Sequence, residues 1–182
     1  MTRFYTKSGD DGYTSLLGKG RIPKHDPRIE TVGVIDEANA AIALARTLSL
    51  SSQTSFLLLE VQKDLYHIMS EVAATPENVS HFRKITAERV KWLEDQIDEI
   101  SSQVNIPAEF IIPGDSKAGA AMDLARTIVR RAERQLAQLL HLKKFDNFEL
   151  LHYMNRLSSL CFVLELLENQ AAGRDSTTLA KK

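Results

Sequence analysis

Between Thr6 and Lys24 the chain sets out Thr6-Lys7-Ser8-Gly9-Asp10-Asp11-Gly12-Tyr13-Thr14, then Gly18-Lys19-Gly20-Arg21 and Lys24. Glycines alternating with hydroxyls and cations let backbone N–H groups and positive charge curl around a polyphosphate, because glycine reaches positive φ and permits close approach. The segment is therefore a candidate nucleotide site outside any helix. It is not a P-loop, since it holds no Gly-Lys-Ser/Thr run and no apolar strand precedes it. A polar, frayed terminus is the competing reading of the same residues.

A second group of cations lies far along the chain. Arg126, Arg130 and Arg134 recur at the four-residue step that stacks side chains on one helix face, with Arg131 beside them. Like charges at that spacing repel, and only Asp123 and Glu133 lie near enough on the same helix to relieve them. Either water solvates the face or an anion supplies the missing charge, a task suited to forked, permanent guanidinium groups. Further on, His152, Asn155, Arg156 and Ser159 share a side opposite Tyr153, Leu157, Leu160 and Leu164. The amide of Asn155 can read adenosine or a ribose hydroxyl with donor and acceptor together, or it can simply face water.

Two further motifs carry chemistry. Phe110-Ile111-Ile112-Pro113-Gly114 is an aromatic beside two isoleucines in a breaker-rich stretch, which on its residues alone reads as a core plug. Glu149-Leu150-Leu151-His152 is a Glu-x-x-His; a ferritin-like di-metal bundle needs a second such motif and two more inward glutamates, and the chain has no second copy. A non-catalytic nucleotide-sensing bundle is the remaining alternative, and it would need no Phe110.

The elements that must position these residues are helices. The chain has 182 residues, enough to bury a core in one domain without disulfides, and Cys161 sits in an apolar stretch as a small core residue. A net charge of −1 argues against a general nucleic-acid binder, so any anion site is local. Without a basic apolar leader or an uninterrupted apolar span, the chain reads as soluble and cytoplasmic, with no membrane partner. Apolar residues recur at helical spacing in five stretches, from about Pro27 or Arg28 to Leu48, from about Gln53 to Ala74, onward from a Thr86 cap, from a Ser116 or Asp115 cap to about His141, and from an Asp146 cap to near Gly173. The expectation is an all-α five-helix bundle over residues 27–173. An irregular nucleotide-binding segment over 1–26 precedes it, and a frayed tail over 174–182 follows.

Four segments, in this order, closely resemble the PduO-type ATP:cob(I)alamin adenosyltransferases. They are Thr6 to Thr14; Arg28-Ile29-Glu30 with Gly33 and Asp36-Glu37-Ala38-Asn39; Arg126 to Arg134; and Asn155-Arg156-Leu157-Ser158. The resemblance runs from about Tyr5 to about Phe162 and implies transfer of the 5′-deoxyadenosyl group of ATP to the cobalt of cob(I)alamin, with release of triphosphate. It implies that Thr6, Lys7, Ser8, Gly9, Asp10, Asp11, Gly12, Tyr13, Thr14 and Lys24 bind ATP together with Arg130, Arg131, Glu133, Arg134 and Asn155. Arg130 then also carries catalytic charge, Asp36 and Arg126 pair between subunits, and Phe110 sits under the corrin ring, displacing the lower axial ligand. Homotrimers with interfacial sites, Mg2+ on the phosphates, and a flavin-type reductase or other electron donor follow from the same resemblance. No metal ligand is assigned. The chain departs from the family in having Ser159 for Asp, Ala38 for Leu and Asp115 for Gly.

Overall fold

A computed structural model of the protein describes residues 5–174 and 176–181. Five long helices form the bundle: α1 (Pro27–Leu48), α2 (Ser52–Ala73), α4 (Ala87–Ser101), α5 (Lys117–His141) and α6 (Phe148–Ala171), with a single helical turn α3 (Val79–Phe82) between α2 and α4. Capping explains where they start. The Asp26 carboxylate accepts from the Arg28 N–H at 2.9 Å with Pro27 in the first turn, and the Ser116 hydroxyl accepts from the Gly119 N–H at 2.9 Å. At α6 the cap is Asn147, which accepts from the Glu149 N–H, and not the expected Asp146, which pairs with Arg83 instead.

Helix α5 lies between α1 and α6, with α2 on the far side of α1 and α4 against α6. On α2 the residues at alternating steps of three and four, Leu58, Val61, Leu65, Ile68 and Val72, are all buried. On α1 the buried face is Val34, Ile35, Ala38, Ile42 and Ala45, so Ile29 and Val32 lie at its margin and not at its centre. Cys161 is fully buried, and burial pushes its thiol up to about 12. No described helix is long and apolar enough to cross a membrane.

A polar network inside the core joins three helices. Asp64 of α2 accepts from the hydroxyl of fully buried Tyr153 on α6 at 2.6 Å and from Arg89 Nε on α4 at 2.7 Å. The Arg89 guanidinium lies 3.7 Å from the centre of the Trp92 ring. Because Tyr153 sits two residues before Asn155, this network also sets the rotation of α6 and hence the direction its polar face takes.

Two features depart from the all-helical expectation. Strands β1 (Tyr13–Ser15) and β2 (Arg21–Pro23) pair antiparallel in the register Tyr13↔Pro23, Thr14↔Ile22, Ser15↔Arg21, three-residue strands too short to show alternation in the sequence. Leu17, beyond β1, is joined to the end of α2 by Leu17 N–H to Ala73 C=O and Thr75 N–H to Leu17 C=O. Gly18 is required there, since a Cβ would stand 2.1 Å from Thr75 Oγ1 and φ is +150°. Thr178 to Ala180, within the tail expected to fray, are paired with the loop before α5. Ile111 and Leu179 form an antiparallel bridge, with Ile112 N–H donating to Thr178 C=O and Ala180 N–H to Phe110 C=O, both at 2.8 Å.

Candidate functional site

The N-terminal loop is built from two successive turns, Asp10 N–H to Lys7 C=O and Gly12 N–H to Gly9 C=O, each 3.2 Å. Lys7 itself holds φ +60° and Gly12 φ +81°, the conformations that turn backbone amides toward one side. Arg21 braces the loop from within. Its guanidinium reaches both Asp11 oxygens at 2.9 and 2.7 Å, the Tyr13 carbonyl at 3.2 Å and the Ser8 carbonyl. That hydrogen-bonded guanidinium holds the Asp11 carboxyl down at about 2, so Asp11 is a structural anion inside the cradle. Lys24 is brought to the same place: its ammonium lies 2.9 Å from where a Gly9 Cβ would stand. Thr6 and Ser8 hydroxyls bond to each other at 2.7 Å. The bracing role of Arg21 has no signature in the sequence beyond a cation ten residues from an acid.

On the bundle surface, α5 and α6 bring their polar residues together. Asn155 donates from Nδ2 to Glu133 at 2.8 Å and accepts on Oδ1 from Arg156, whose Nε reaches Glu94 on α4 at 2.9 Å. Arg131 pairs with Glu37 of α1. Arg130 and Arg134 are exposed, one turn apart, and neither has an ion pair or side-chain hydrogen bond among the described residues. On α5 and α6 they are the guanidinium groups without a partner among the described residues, open to an external anion.

Arg126 and Asp36 are not brought together within the chain. Arg126 bonds Asp123 of its own helix through Nε and Nη2, each 2.7 Å, while Asp36 lies exposed.

Phe110 is 87% exposed, so it is not the core plug its neighbours suggested. It stands at the mouth of a cavity of about 340 Å³ whose walls include Ile111, Pro113, Phe162, Asp123 and Arg126. Phe162 was not singled out from sequence; its only signal is a position just off the Leu157, Leu160, Leu164 stripe. Asp115, the departure from the family glycine, accepts from Thr178 Oγ1 at 2.7 Å and Thr178 N–H at 3.0 Å. Ser159 is exposed and Ala38 is fully buried.

The cradle and Phe110 sit at different levels of the bundle. Arg28, just after the cradle, donates to Ala74 and Lys144 carbonyls, which fixes that region at the end where α5 finishes. The Phe110 cavity lies beside Asp123 and Arg126 in the first half of α5. At 1.5 Å of rise per residue the two are separated by roughly 20 Å or more along one chain.

Glu149 and His152 meet at 3.4 Å but gather no further ligand, and no group of three or more His, Cys, Asp or Glu suited to a metal occurs among the described residues. The di-metal alternative therefore has no support. On α6, Glu165 is fully buried with both carboxylate oxygens unpaired, and burial first, then Asp123, push its carboxyl up to about 7. Folding thus favours its protonated form. The stability this gives is complete below the ordinary value of 4.5 and is lost as pH rises through about 7. Glu165→Gln should remove that loss, gaining about 2–3 kcal/mol above about pH 8 and flattening the pH slope in urea titrations. Parallel slopes for both proteins would contradict it.

Residues 4–168 match the family model for cobalamin adenosyltransferase. A corrinoid adenosyltransferase of Bacillus subtilis is 37% identical over 176 residues, covering 94% of this chain and 89% of that protein. The corrinoid adenosyltransferase PduO of Salmonella typhimurium is 36% identical over 92% of this chain, which spans only 50% of that relative's length. Among solved structures, a variant PduO-type ATP:corrinoid adenosyltransferase from Lactobacillus reuteri, complexed with cobalamin and ATP, superposes with a TM-score of 0.88 at 32% identity, covering 99% of this chain and 97% of that one.

Proposed function

We infer the reaction from the premise that the chain belongs to the cobalamin adenosyltransferase family: it transfers the 5′-deoxyadenosyl group of ATP to the cobalt of cob(I)alamin, forming adenosylcobalamin and releasing triphosphate. The reduced cobalt is the nucleophile. A cobalt–carbon bond forms at C5′ as the C5′–oxygen bond breaks, and that electron pair leaves with the triphosphate. The protein needs no Ser, Cys or His nucleophile, so its work is positioning and charge stabilisation. The observation that carries this reading for the chain's own residues is an exposed Phe110 lining a cavity with Ile111, Pro113 and Phe162 on its apolar side.

The N-terminal loop with Lys7 and Lys24 takes the triphosphate, and Arg130 and Arg134 meet the charge that develops as it leaves. Asn155, whose amide bonds Glu133 and Arg156, takes the nucleoside in this reading. Mg2+, where bound with ATP, would share the charge of the triphosphate with the cations named. A flavin-type reductase or another donor supplies the electron, and the enzyme works in the cytoplasm.

The distance along α5 between cradle and Phe110 supports a homotrimer in which one subunit's cradle closes on its neighbour's Phe110. In that assembly Arg126 leaves Asp123 or bridges it to Asp36 of the next subunit. Single removals of Asp36 or Arg126 should each lower activity and weaken the trimer in sedimentation, and a charge-swapped double variant should recover part of the loss. Strictly additive losses, with a monomer throughout, would remove the pairing.

The activity itself is tested anaerobically with ATP and chemically reduced cobalamin. The visible spectrum should convert to that of photolabile adenosylcobalamin, with one triphosphate released per cobalt alkylated. ATP binding with an unchanged corrinoid spectrum would overturn the reading in favour of a nucleotide sensor.

A further inference from the structure

Phe110 owes its place to the far end of the chain. Its carbonyl accepts from Ala180 N–H, the Ile112 N–H donates to Thr178 C=O, and Ile111 bridges Leu179 between them. Five residues on, Asp115 takes both the hydroxyl and the N–H of Thr178, while Arg174 Nε donates to the Asp115 carbonyl at 3.0 Å. The segment between α4 and α5 has no regular element of its own to hold a large apolar ring out in solvent. Left free, such a loop would fold its aromatic onto the nearby apolar wall of Ile111, Pro113 and Phe162.

We propose that Asp115 and Thr178 are positioning residues for adenosyl transfer: together they clasp the C-terminal segment to the Phe110 loop and hold the ring at the height the corrin requires. Asp115 supplies both acceptors of this contact, one oxygen for the Thr178 hydroxyl and the other for its N–H. The inference rests on the reading that Phe110 lies beneath the corrin. Neither Asp115 nor Thr178 touches substrate, and both act through Phe110.

Asp115→Ala and Thr178→Val each remove the charge-assisted hydroxyl bond while leaving the bundle core untouched. Hydrogen exchange reads the clasp directly: the Ile112 amide should lose protection in both variants, with the circular dichroism of the bundle unchanged. Turnover from cob(II)alamin should fall roughly tenfold with KM for ATP unaltered. Thr178→Ser, which keeps the hydroxyl, should restore most of it. Because the clasp acts through the ring, neither variant should lower activity further in a Phe110→Ala background. Wild-type turnover in the clasp variants beside a crippled Phe110→Ala, or losses that multiply with it, would overturn the clasp alone. Full activity in Phe110→Ala would instead remove the reading on which it stands. Unchanged Ile112 protection in both variants would show that Asp115 and Thr178 do not hold the loop.

Discussion

Phe110→Ala is expected to keep ATP affinity and lose adenosylation by roughly a hundredfold when cob(II)alamin is the starting form. Axial donation from a lower ligand raises the cobalt orbital that the incoming electron must enter, so a ligated cob(II)alamin resists reduction. A phenyl ring pressed beneath cobalt offers no lone pair and fills the space that the displaced base or a water would occupy. The ring can do this only if it stands free of the core, and at 87% exposure Phe110 does. With fully reduced cob(I)alamin supplied, the defect should shrink, because cobalt(I) has little affinity for a lower ligand. Calorimetry with ATP and parallel assays from the two oxidation states separate these effects. Equal losses from both states, or none from either, would leave Phe110 without a role in ligand displacement.

Asp64→Ala should be the most damaging single change to stability outside the apolar core. It strands the hydroxyl of fully buried Tyr153 and removes the carboxylate that Arg89 Nε contacts at 2.7 Å, leaving Arg89 with Glu60 at 3.6 Å. An orphaned buried hydroxyl together with a half-buried cation costs about 2–4 kcal/mol, or about 5–15 °C in melting temperature for a chain of this size. Asp64→Asn keeps an acceptor for one partner and should lose less. ATP affinity should weaken as well, since Tyr153 and Asn155 share α6 and a loosened rotation spreads the amide over several directions. Scanning calorimetry showing a melting temperature within a degree or so of the parent would mean that water already serves these groups.

Much of the scaffold could be read from residue order because it is local. The alternation of threes and fours from Leu58 to Val72 and the Ser116 cap before α5 need only a few neighbours to declare themselves. What escaped notice depends on partners distant in sequence or on very short elements. β1 and β2 have three residues each, and the pairing of Ile111 with Leu179 joins positions that only the finished bundle brings side by side. Phe110 illustrates a different failure. Beside Ile111 and Ile112 its hydrophobicity was legible but not its direction, since apolar character states a preference for leaving water and not which surface satisfies it. Of the candidate site, the motif residues are legible in the sequence as candidates, whereas the bracing of Asp11 by Arg21, the engagement of Arg126 by Asp123 and the wall supplied by Phe162 emerge only from geometry.

The lone thiol turns the molecule into its own unfolding counter. Cys161 is sealed within α6 and, with its thiol pushed up to about 12, presents almost no thiolate at neutral pH. An alkylating reagent therefore labels only chains that have opened far enough to wet the middle of the last long helix. Mass spectrometry of the fraction labelled over time reports global opening with no added probe, and each labelled chain carries a single tag because there is no second cysteine. Opening confined to the N-terminal loop would pass unrecorded, so ligand effects seen by this label would belong to the bundle as a whole.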